Sequence, residues 1–302
     1  MNPEKRSNFS LQGSVHTLSI KYPELAEPIP QYYIDSGIIK SSSRTENGER
    51  KTTSIINPNK LSGNVFAYSD FCVAFGDILN EAGIEENTYK LVRCDMKFDS
   101  YENEHYKSYQ KLNRLLISLL KVEYSVRNAY KTDHLITDER LSMAIKSNMF
   151  EAEAYDKDYE SGGTDLAKSR FEVRSKKWND NDIPNEFLVK WSNRWDKALK
   201  RFDDVQMIYN DALEKQYKES LGVKPCLYRS LTDFLIANQE RIFTSKQMVD
   251  LLSRFEEVGG VEKAKERAKY HKKKYGIEYF SKADLEYAIN EIKRATTKFF
   301  EE

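Results

Sequence analysis

Apolar and polar residues alternate in several segments of the first 180 positions, as they do in strands that cover a core with one face. Residues 41–52 are polar and contain an Asn-Gly pair, which favours a tight hairpin turn. Pro58 must end the strand that follows this turn, because proline restricts the residue before it and lacks an amide proton. The predicted strands lie at 14–22, 52–57, 90–99, 143–157 and 169–177.

Two segments between these strands have the period of an amphipathic helix. One begins near Ser69, a typical N-cap residue, and stops at Gly83, and the other covers residues 104–121. Strands with intervening helices predict an α+β domain over residues 14–180, built on one largely antiparallel sheet with flanking helices. The polar residues 1–13 are predicted to be disordered.

The strand pattern disappears after residue 180, and residues 181–302 are predicted to be all helical. Trp191 and Trp195 belong to an apolar stripe on a long helix predicted at 186–219, which is typical of a packing face. Thr244 and Gln247 form a capping-box pattern at the start of another helix. Further helices are predicted at 229–240, at 261–275 with Gly276 as the stop, and from Ser281 onwards.

Charge and hydropathy restrict the class of protein. The 48 basic and 48 acidic residues give zero net charge, which counts against a protein that coats nucleic acid by charge alone. No apolar run approaches the length of a membrane span, and the polar N-terminal residues do not resemble a signal peptide. We therefore expect a cytoplasmic protein that does not contact a membrane.

Basic residues are concentrated in the predicted helix 261–275, which holds seven Lys or Arg and two Glu. Such a run is commonly a solvated helix face, and the alternative is contact with the DNA backbone. The helices of this region could also form a helix-turn-helix, although no base-reading pattern is recognisable. The candidate DNA-binding residues are Lys263, Lys265, Arg267, Lys269, Lys272, Lys273 and Lys274.

Three predicted strands carry charged residues on one face, because side chains two positions apart in a strand lie together. In the strand at 90–99, Arg93, Asp95, Lys97 and Asp99 oppose an apolar face. In the next two strands, the polar sets are Glu151, Glu153, Tyr155 and Lys157, and Arg170, Glu172 and Arg174. One interpretation is a solvated outer face with cross-strand ion pairs, each worth less than about 1 kcal/mol.

The second interpretation is a phosphoryl-transfer site. Carboxylates such as Asp95 and Glu172 are ligands suited to Mg²⁺ or Mn²⁺, and a basic side chain can neutralise charge that develops on a phosphate. Tyrosine suits the role of nucleophile because its phenolate is a better leaving group than an alkoxide. A phosphotyrosine bond can therefore be formed and later reversed without an outside energy source.

A resemblance favours the second interpretation. The segments "NPNKL" (57–61), "RCDMKFD" (93–99), "EAYDKDYE" (153–160) and "RFEVR" (170–174) occur in this order. Their order and spacing resemble the motifs of rolling-circle plasmid replication initiators of the Rep_trans type, a family related to phage replication initiation factors and some conjugative relaxases. The resemblance covers roughly residues 14–178.

The resemblance implies a role for each matching residue. Tyr155 would be the nucleophile that nicks one DNA strand and keeps the 5′-phosphate, with Lys157, Arg93 and Arg170 as catalytic support. Asp95 and Glu172 would be the leading ligands of Mg²⁺ or Mn²⁺, and Asp99 a further one. Ser147 falls where the family often has Ser or Asp. Two positions depart from the family pattern, because Glu153 and Asp158 stand where basic residues are common.

The expected function is origin nicking and rejoining through a 5′-phosphotyrosine intermediate. A conjugative relaxase with the same chemistry and a non-catalytic origin-binding initiator are the alternatives, and a structural or interaction protein is the third. Tyr159 is a candidate second hydroxyl if the strand at 143–157 continues. The sequence has no P-loop, so a host helicase would have to unwind the DNA, and a homodimer is expected.

Overall fold

The computed structural model describes residues 9–25, 27–62, 67–120, 143–146, 149–176, 178, 181–223 and 227–302. Seven strands in these ranges form one sheet in the order β2-β3-β1-β4-β7-β6-β5, and all neighbours are antiparallel. The strands are β1 (Gln12–Pro23), β2 (Ile39–Glu46), β3 (Glu49–Ile56), β4 (Lys90–Ser100), β5 (Met143–Lys146), β6 (Phe150–Asp156) and β7 (Ser169–Lys176).

Helices flank the sheet and make up the C-terminal part of the chain. Those before residue 180 are α1 (Gln31–Asp35), α2 (Asn59–Ser62), α3 (Tyr68–Glu81), α4 (Tyr106–Leu120) and α5 (Lys157–Glu160). Those after it are α6 (Ile183–Lys200), α7 (Phe202–Leu221), α8 (Leu231–Ala237), α9 (Ser245–Ser253), α10 (Val261–Tyr275) and α11 (Lys282–Glu301). The predicted α+β class, with helices after the sheet, is confirmed. None of the described helices is both long and apolar enough to span a membrane.

Local sequence signals account for several boundaries. Asn47 and Gly48 have positive φ angles of 51° and 83° and connect β2 to β3, as expected of an Asn-Gly hairpin turn. Strand β3 ends at Ile56, two residues before Pro58. Helix α10 ends at Gly276, which has a φ of +65° and lies in the left-handed region.

Two predicted elements are each divided in the structure. The segment predicted as one strand at 143–157 forms the hairpin β5–β6, and β6 ends at Asp156. The side chain of Asp156 accepts a hydrogen bond from the Tyr159 amide and so caps the short helix α5. The long helix predicted at 186–219 is interrupted at Arg201, between α6 and α7.

One face of the sheet packs against helices and forms the main hydrophobic core. Helix α4 contacts β5, β6 and β7, α11 contacts β1, and α6 lies against both helices. Trp191 and Trp195 of α6 are buried in this core, which confirms that their stripe is a packing face. The sheet contributes Cys94, Met96, Phe98, Phe150, Ala152, Ala154, Phe171 and Val173, the apolar face predicted from alternation.

The N-terminal prediction requires a correction. Residues 1–8 lie outside the described residues, but Phe9 and Leu11 are buried in the main core and β1 begins at Gln12. Gly13 lies so close to α11 that an added Cβ would stand 2.8 Å from the Ala295 carbonyl oxygen. Residues 9–13 are therefore ordered by packing, which a polar local sequence does not reveal.

The hydrophobic core does not divide at residue 180. Helices α6 and α11 and the start of α7 belong to the main core beneath the sheet. A second core is formed by the end of α7 together with α8, α9 and α10, over residues from Leu213 to Ile277. The helical part predicted at 181–302 is thus shared between the core of the sheet and this smaller helical module.

Candidate active site

The polar face of the sheet brings three of the recognised segments side by side. Strand β7 lies between β4 and β6, so each polar side chain of β7 has a neighbour on both sides. Arg170 is paired with Asp99 and Tyr155, Glu172 with Lys97 and Glu153, and Arg174 with Asp95 and Glu151. The strand register therefore builds a lattice of charged side chains next to the tyrosine, in which the signs alternate except where Glu172 lies beside Glu153.

The lattice charges on β4 and the first two charged positions of β7 are buried, whereas Arg174, Glu151 and Glu153 are partly exposed. Asp95, Asp99 and Glu172 are each only 2% exposed, and Lys97 and Arg170 are 3% and 4% exposed. The interpretation as a solvated outer face is therefore wrong, because solvent-screened ion pairs require exposed partners. Buried charges of this kind are tolerated only when they are paired and hydrogen-bonded.

Arg170 is held by Asp99 through two hydrogen bonds. Its Nε donates to Oδ1 of Asp99 at 2.6 Å, and its Nη2 donates to Oδ2 at 2.9 Å. Lys97 lies 3.5 Å from Asp99, and burial lowers the pKa of Lys97. This paired arrangement fixes the guanidinium of Arg170 beside Tyr155, across the β6–β7 register.

Asp95 is bound by neighbours on both adjacent strands. Nε of Arg93 donates to Oδ1 of Asp95 at 2.6 Å, and Oγ1 of Thr17 on β1 donates to Oδ2 at 2.6 Å. A nitrogen of Arg174 lies 3.7 Å from the same carboxylate. Asp95 is thus part of the lattice and supports the guanidinium groups of Arg93 and Arg174.

Glu172 is a buried carboxylate held by side chains from two strands, β7 and β1. Nη2 of Arg174 donates to Oε2 of Glu172 at 2.8 Å, and Nδ1 of His16 contacts Oε1. Burial opposes ionisation of Glu172, but the hydrogen bond from His16 and the charges of His16, Arg174 and Arg170 outweigh it and lower its pKa to about 2. The carboxylate is therefore ionised at neutral pH.

The depressed pKa of Glu172 predicts a pH-dependent stability. Because the folded pKa of about 2 lies below the ordinary value of 4.5, the stabilisation is complete above pH 4.5 and is lost as the pH falls toward 2. We expect Glu172→Gln to be less stable at pH 7 by up to about 3 kcal/mol and to lose stability less steeply below pH 4.5. Denaturant unfolding at several pH values measures both, with the exposed Glu262→Gln as control. If the free energy of unfolding fell equally steeply with pH in Glu172→Gln and in wild type, the pH dependence would not come from Glu172.

Tyr155 lies at the edge of the lattice in a pocket of about 520 Å³. Burial and the negative charge of Glu172 raise the pKa of Tyr155, and the hydrogen bond and positive charge of Arg170 partly oppose this rise. The hydroxyl is therefore protonated in the free protein, and Arg170 is placed to stabilise a phenolate as it forms. The pocket is lined by Tyr155, Tyr159, His16, Arg174, Glu153, Asp156, Glu160 and Glu172.

Lys157 does not share the strand face of Tyr155, contrary to the prediction. It is the first residue of α5, where its Nζ contacts Glu160 and lies 3.7 Å from Asp165. Tyr159 is also on α5, 47% exposed, and reaches the pocket from the helix and not from a continued strand. Ser147 lies outside the described residues.

The predicted metal ligands are not arranged as a metal site. Arg174 contacts both Asp95 and Glu172, and Arg170 binds Asp99 through both of its oxygens. Among the residues that the structure describes, no group of three or more His, Cys, Asp or Glu side chains could hold a metal ion. Coordination by Asp95 and Glu172 would require the guanidinium groups to move, and the use of Mg²⁺ or Mn²⁺ stays a prediction.

The predicted basic surface lies on α10, in the smaller helical module. Ala264, Ala268 and His271 are buried, and α10 packs against α9 through this face. Lys272 and Lys274 lie over tyrosine rings, with Nζ of Lys274 5.2 Å from the centre of the Tyr270 ring. All seven basic side chains of α10 are exposed: Lys263, Lys265, Arg267, Lys269, Lys272, Lys273 and Lys274.

Besides the pocket carboxylates Glu153, Asp156 and Glu160, three side chains that contact the predicted site residues were not predicted, those of His16, Thr17 and Arg174. Arg174 could have been found, because it shares a strand face with Arg170 and Glu172. Thr17 and His16 belong to β1, where regular alternation places His16 on the core face. Only a local irregularity in β1 brings His16 to the pocket, and no sequence signal indicates it.

Comparisons with known proteins add little to this geometry. No family model matches the chain, and no curated protein matches it. A solved structure of a rolling circle replication initiator protein from Geobacillus stearothermophilus is 8% identical over 67% of this chain and 84% of that chain, with a TM-score of 0.27. Similarity at this level establishes neither a shared fold nor a shared activity, so a function must be argued from the site.

Proposed function

We propose that this protein initiates rolling-circle replication by nicking and rejoining one DNA strand through Tyr155. The observation that carries the proposal is the position of Tyr155 in a pocket beside two carboxylate-held guanidinium groups, that of the buried Arg170 and that of the partly buried Arg174. A tyrosine hydroxyl with cations held next to it provides a nucleophile and positive charge for attack on a phosphodiester. The order of motifs shared with Rep_trans-type initiators supports the same function.

The proposed reaction conserves the energy of the phosphodiester bond. The Tyr155 oxygen forms a bond to phosphorus and loses its proton, the bond from phosphorus to the 3′ oxygen breaks, and that oxygen leaves as a 3′-hydroxyl after taking up a proton. The 5′-phosphate stays on Tyr155. In the rejoining step a 3′-hydroxyl attacks the phosphotyrosine and releases Tyr155, which is an effective leaving group as a phenolate.

Arg170 and Arg174 have different parts in this proposal. Arg170 bonds to the Tyr155 hydroxyl and lowers the cost of the phenolate, while Asp99 fixes its orientation. Arg174 lines the pocket and would stabilise the charge that develops on the phosphate. Arg93 donates a hydrogen bond to Asp95 on the same strand and does not line the pocket, so its contribution is indirect.

The exposed face of α10 is proposed to bind the DNA backbone. We expect the triple variant Lys263→Ala, Arg267→Ala and Lys274→Ala to bind duplex DNA more weakly at all sequences. The slope of log affinity against log salt should fall by about one for each DNA phosphate that the variant no longer neutralises. Titration at several salt concentrations by fluorescence anisotropy measures this slope. An unchanged slope would contradict a role of α10 in DNA binding.

The matched control for α10 removes the same amount of charge elsewhere. Lys197, Lys200 and Lys215 are exposed lysines on α6 and α7. Their replacement by alanine changes the net charge equally, so we expect only a small change in affinity and no change in slope. An equal loss of affinity in both triple variants would assign the effect to net charge and not to α10.

Metal ions and protein partners are further parts of the proposal. Assistance by Mg²⁺ or Mn²⁺ is proposed from the resemblance to the initiator family alone, because the carboxylates near Tyr155 are paired with guanidinium groups. A host helicase is proposed because the sequence has no P-loop, and a homodimer is proposed for the active form. A conjugative relaxase would use the same site, and its DNA target would be a transfer origin in place of a replication origin.

The experiment that tests the proposal uses purified protein and supercoiled plasmid carrying the DNA that surrounds its own gene. We expect open-circular product in the presence of Mg²⁺ or Mn²⁺, and none with a plasmid that lacks this DNA. An arm with EDTA tests the predicted metal dependence separately. The absence of open-circular product with either metal would contradict the nicking function.

A further inference from the structure

The polar face of β1 contains an extra residue opposite β4. Val15 is paired with Met96 on the core face, whereas Thr17 is paired with Asp95 on the polar face. In a regular strand Val15 and Thr17 would share one face, so a bulge at His16 must separate them. The bulge allows both His16 and Thr17 to lie on the polar side while Val15 and Leu18 stay buried in the core.

The bulge is held by the recognised segment "NPNKL". The side-chain amide of Asn59 donates to the carbonyl oxygen of Val15 at 2.9 Å and to that of His16 at 3.2 Å. Carbonyl oxygens at a bulge lose their hydrogen bonds to the neighbouring strand, so a donor from outside the sheet is needed to satisfy them. The segment is anchored two residues earlier, where the Asn57 amide donates a hydrogen bond to the Ile38 carbonyl oxygen at 2.8 Å.

The imidazole of His16 reaches the pocket of Tyr155. Nδ1 of His16 contacts Oε1 of the ionised Glu172, an atom that can only accept a hydrogen bond, so Nδ1 carries a proton. His16 keeps 30% of its side chain exposed and lines the same pocket as Tyr155.

We propose that Asn59 is a positioning residue of the nicking site, which acts through the β1 bulge to hold the imidazole of His16 in the pocket beside Tyr155; this inference rests on the proposed function of Tyr155. Neither Asn59 nor the rest of its segment lines the pocket. Asn59 therefore contributes to the reaction through the backbone of β1. His16 lines the pocket with Tyr155, and its imidazole would be available there to the Tyr155 hydroxyl or to the bound strand.

The kinetic test is a double-mutant cycle on single-stranded DNA from the nick site. We expect Asn59→Ala to slow covalent adduct formation at saturating DNA by about ten- to a hundredfold. The DNA concentration that gives half of the maximal rate should change by less than about twofold. His16→Ala should be at least as slow. The double variant should be no slower than His16→Ala, because Asn59 acts through His16. If the rate loss of the double variant equalled the product of the losses caused by the two single substitutions, the proposal would be overturned.

The matched control is Lys60→Ala in the same segment. Nζ of Lys60 donates to the Ser36 carbonyl oxygen at 3.3 Å, away from the bulge. We expect adduct formation within about twofold of wild type for this variant. Thermal unfolding of all variants identifies any that fail to fold, and a conservative Asn59→Gln variant, which keeps an amide donor, should recover part of the rate.

A second readout is independent of nicking. The proton on Nδ1 of His16 exchanges slowly with water if it is hydrogen-bonded to Glu172, so it should give a proton–nitrogen NMR correlation in wild type and in Lys60→Ala. This signal should shift or disappear in Asn59→Ala. An unchanged signal in Asn59→Ala would overturn the proposal even if the rate falls. If wild type forms no adduct on any DNA, the nicking function fails, and the NMR comparison still decides whether Asn59 positions His16.

Discussion

Tyr155→Phe should abolish origin nicking and covalent adduct formation, with a loss of at least about a thousandfold. The substitution removes the oxygen that we propose forms the bond to phosphorus and leaves the ring in place. Arg170 keeps both hydrogen bonds to Asp99, so the fold and the affinity for DNA should be nearly unchanged. Gel assays of open-circular product and of adducts on labelled oligonucleotide measure the loss, and anisotropy measures DNA binding.

Tyr159→Phe is the comparison that isolates Tyr155. Tyr159 lines the same pocket from the exposed helix α5, four residues further along the chain. Because Tyr159 lies outside the charge lattice of β4, β6 and β7, we expect adduct formation to persist in this variant. Adducts that persist in Tyr155→Phe and vanish in Tyr159→Phe would show that Tyr159, and not Tyr155, is the nucleophile.

Tyr155→Phe also separates the catalytic account from a non-catalytic initiator. A protein that opens an origin by assembly alone would support replication of its replicon without the Tyr155 hydroxyl. We expect replication to stop in the variant although DNA binding continues. A structural or interaction protein would show no specific DNA binding in either form.

Removing residues 281–302 should unfold the whole chain, including the sheet. Helix α11 buries Leu285, Ile289, Ile292 and Phe299 in the main core. At about 1.5–3 kcal/mol for each large apolar side chain, their removal is comparable to a typical total stability of about 5–15 kcal/mol. We expect the truncated chain to lack a cooperative unfolding transition in circular dichroism.

Point variants of α11 provide the controls for this truncation. Ile289 is 1% exposed, and Ile289→Ala should lower the free energy of unfolding by about 2–5 kcal/mol. Lys293 forms a surface ion pair with Asp196, and Lys293→Ala should change this free energy by less than about 1 kcal/mol. A truncated chain that unfolds cooperatively would instead support a boundary near residue 180.

Alternation in the sequence was enough to predict the two faces of the central strands. Phe171 and Val173 are in the core and Arg170, Glu172 and Arg174 oppose them, as the period of two requires. Alternation gives the direction of a side chain but not what covers it. The burial of the charged face depends on β4, β7 and β6 being neighbours with paired charges, and alternation within one strand does not reveal which strands are neighbours.

Local departures from regular structure account for the residues that the sequence misplaced. Lys157 left the strand face because Asp156 caps a helix there, a signal present in the sequence but hidden by the strand pattern. His16 was missed because a bulge depends on the partner strand and on Asn59, which lies more than forty residues away. The packing of α11 against the sheet was missed for a similar reason. Several amphipathic helices could cover the sheet, and the local sequence does not indicate which of them does.

The central claim is that Tyr155 becomes covalently joined to DNA, and peptide mass spectrometry after adduct formation tests it most directly. Trypsin cleaves after Lys146, Lys157 and Lys168, so Tyr155 and Tyr159 fall in separate peptides, 147–157 and 158–168. After nuclease digestion of the bound strand, we predict a nucleotide phosphate on peptide 147–157, with fragmentation placing it on Tyr155. An adduct on peptide 158–168 or elsewhere, or no adduct with nicking intact, would contradict the account.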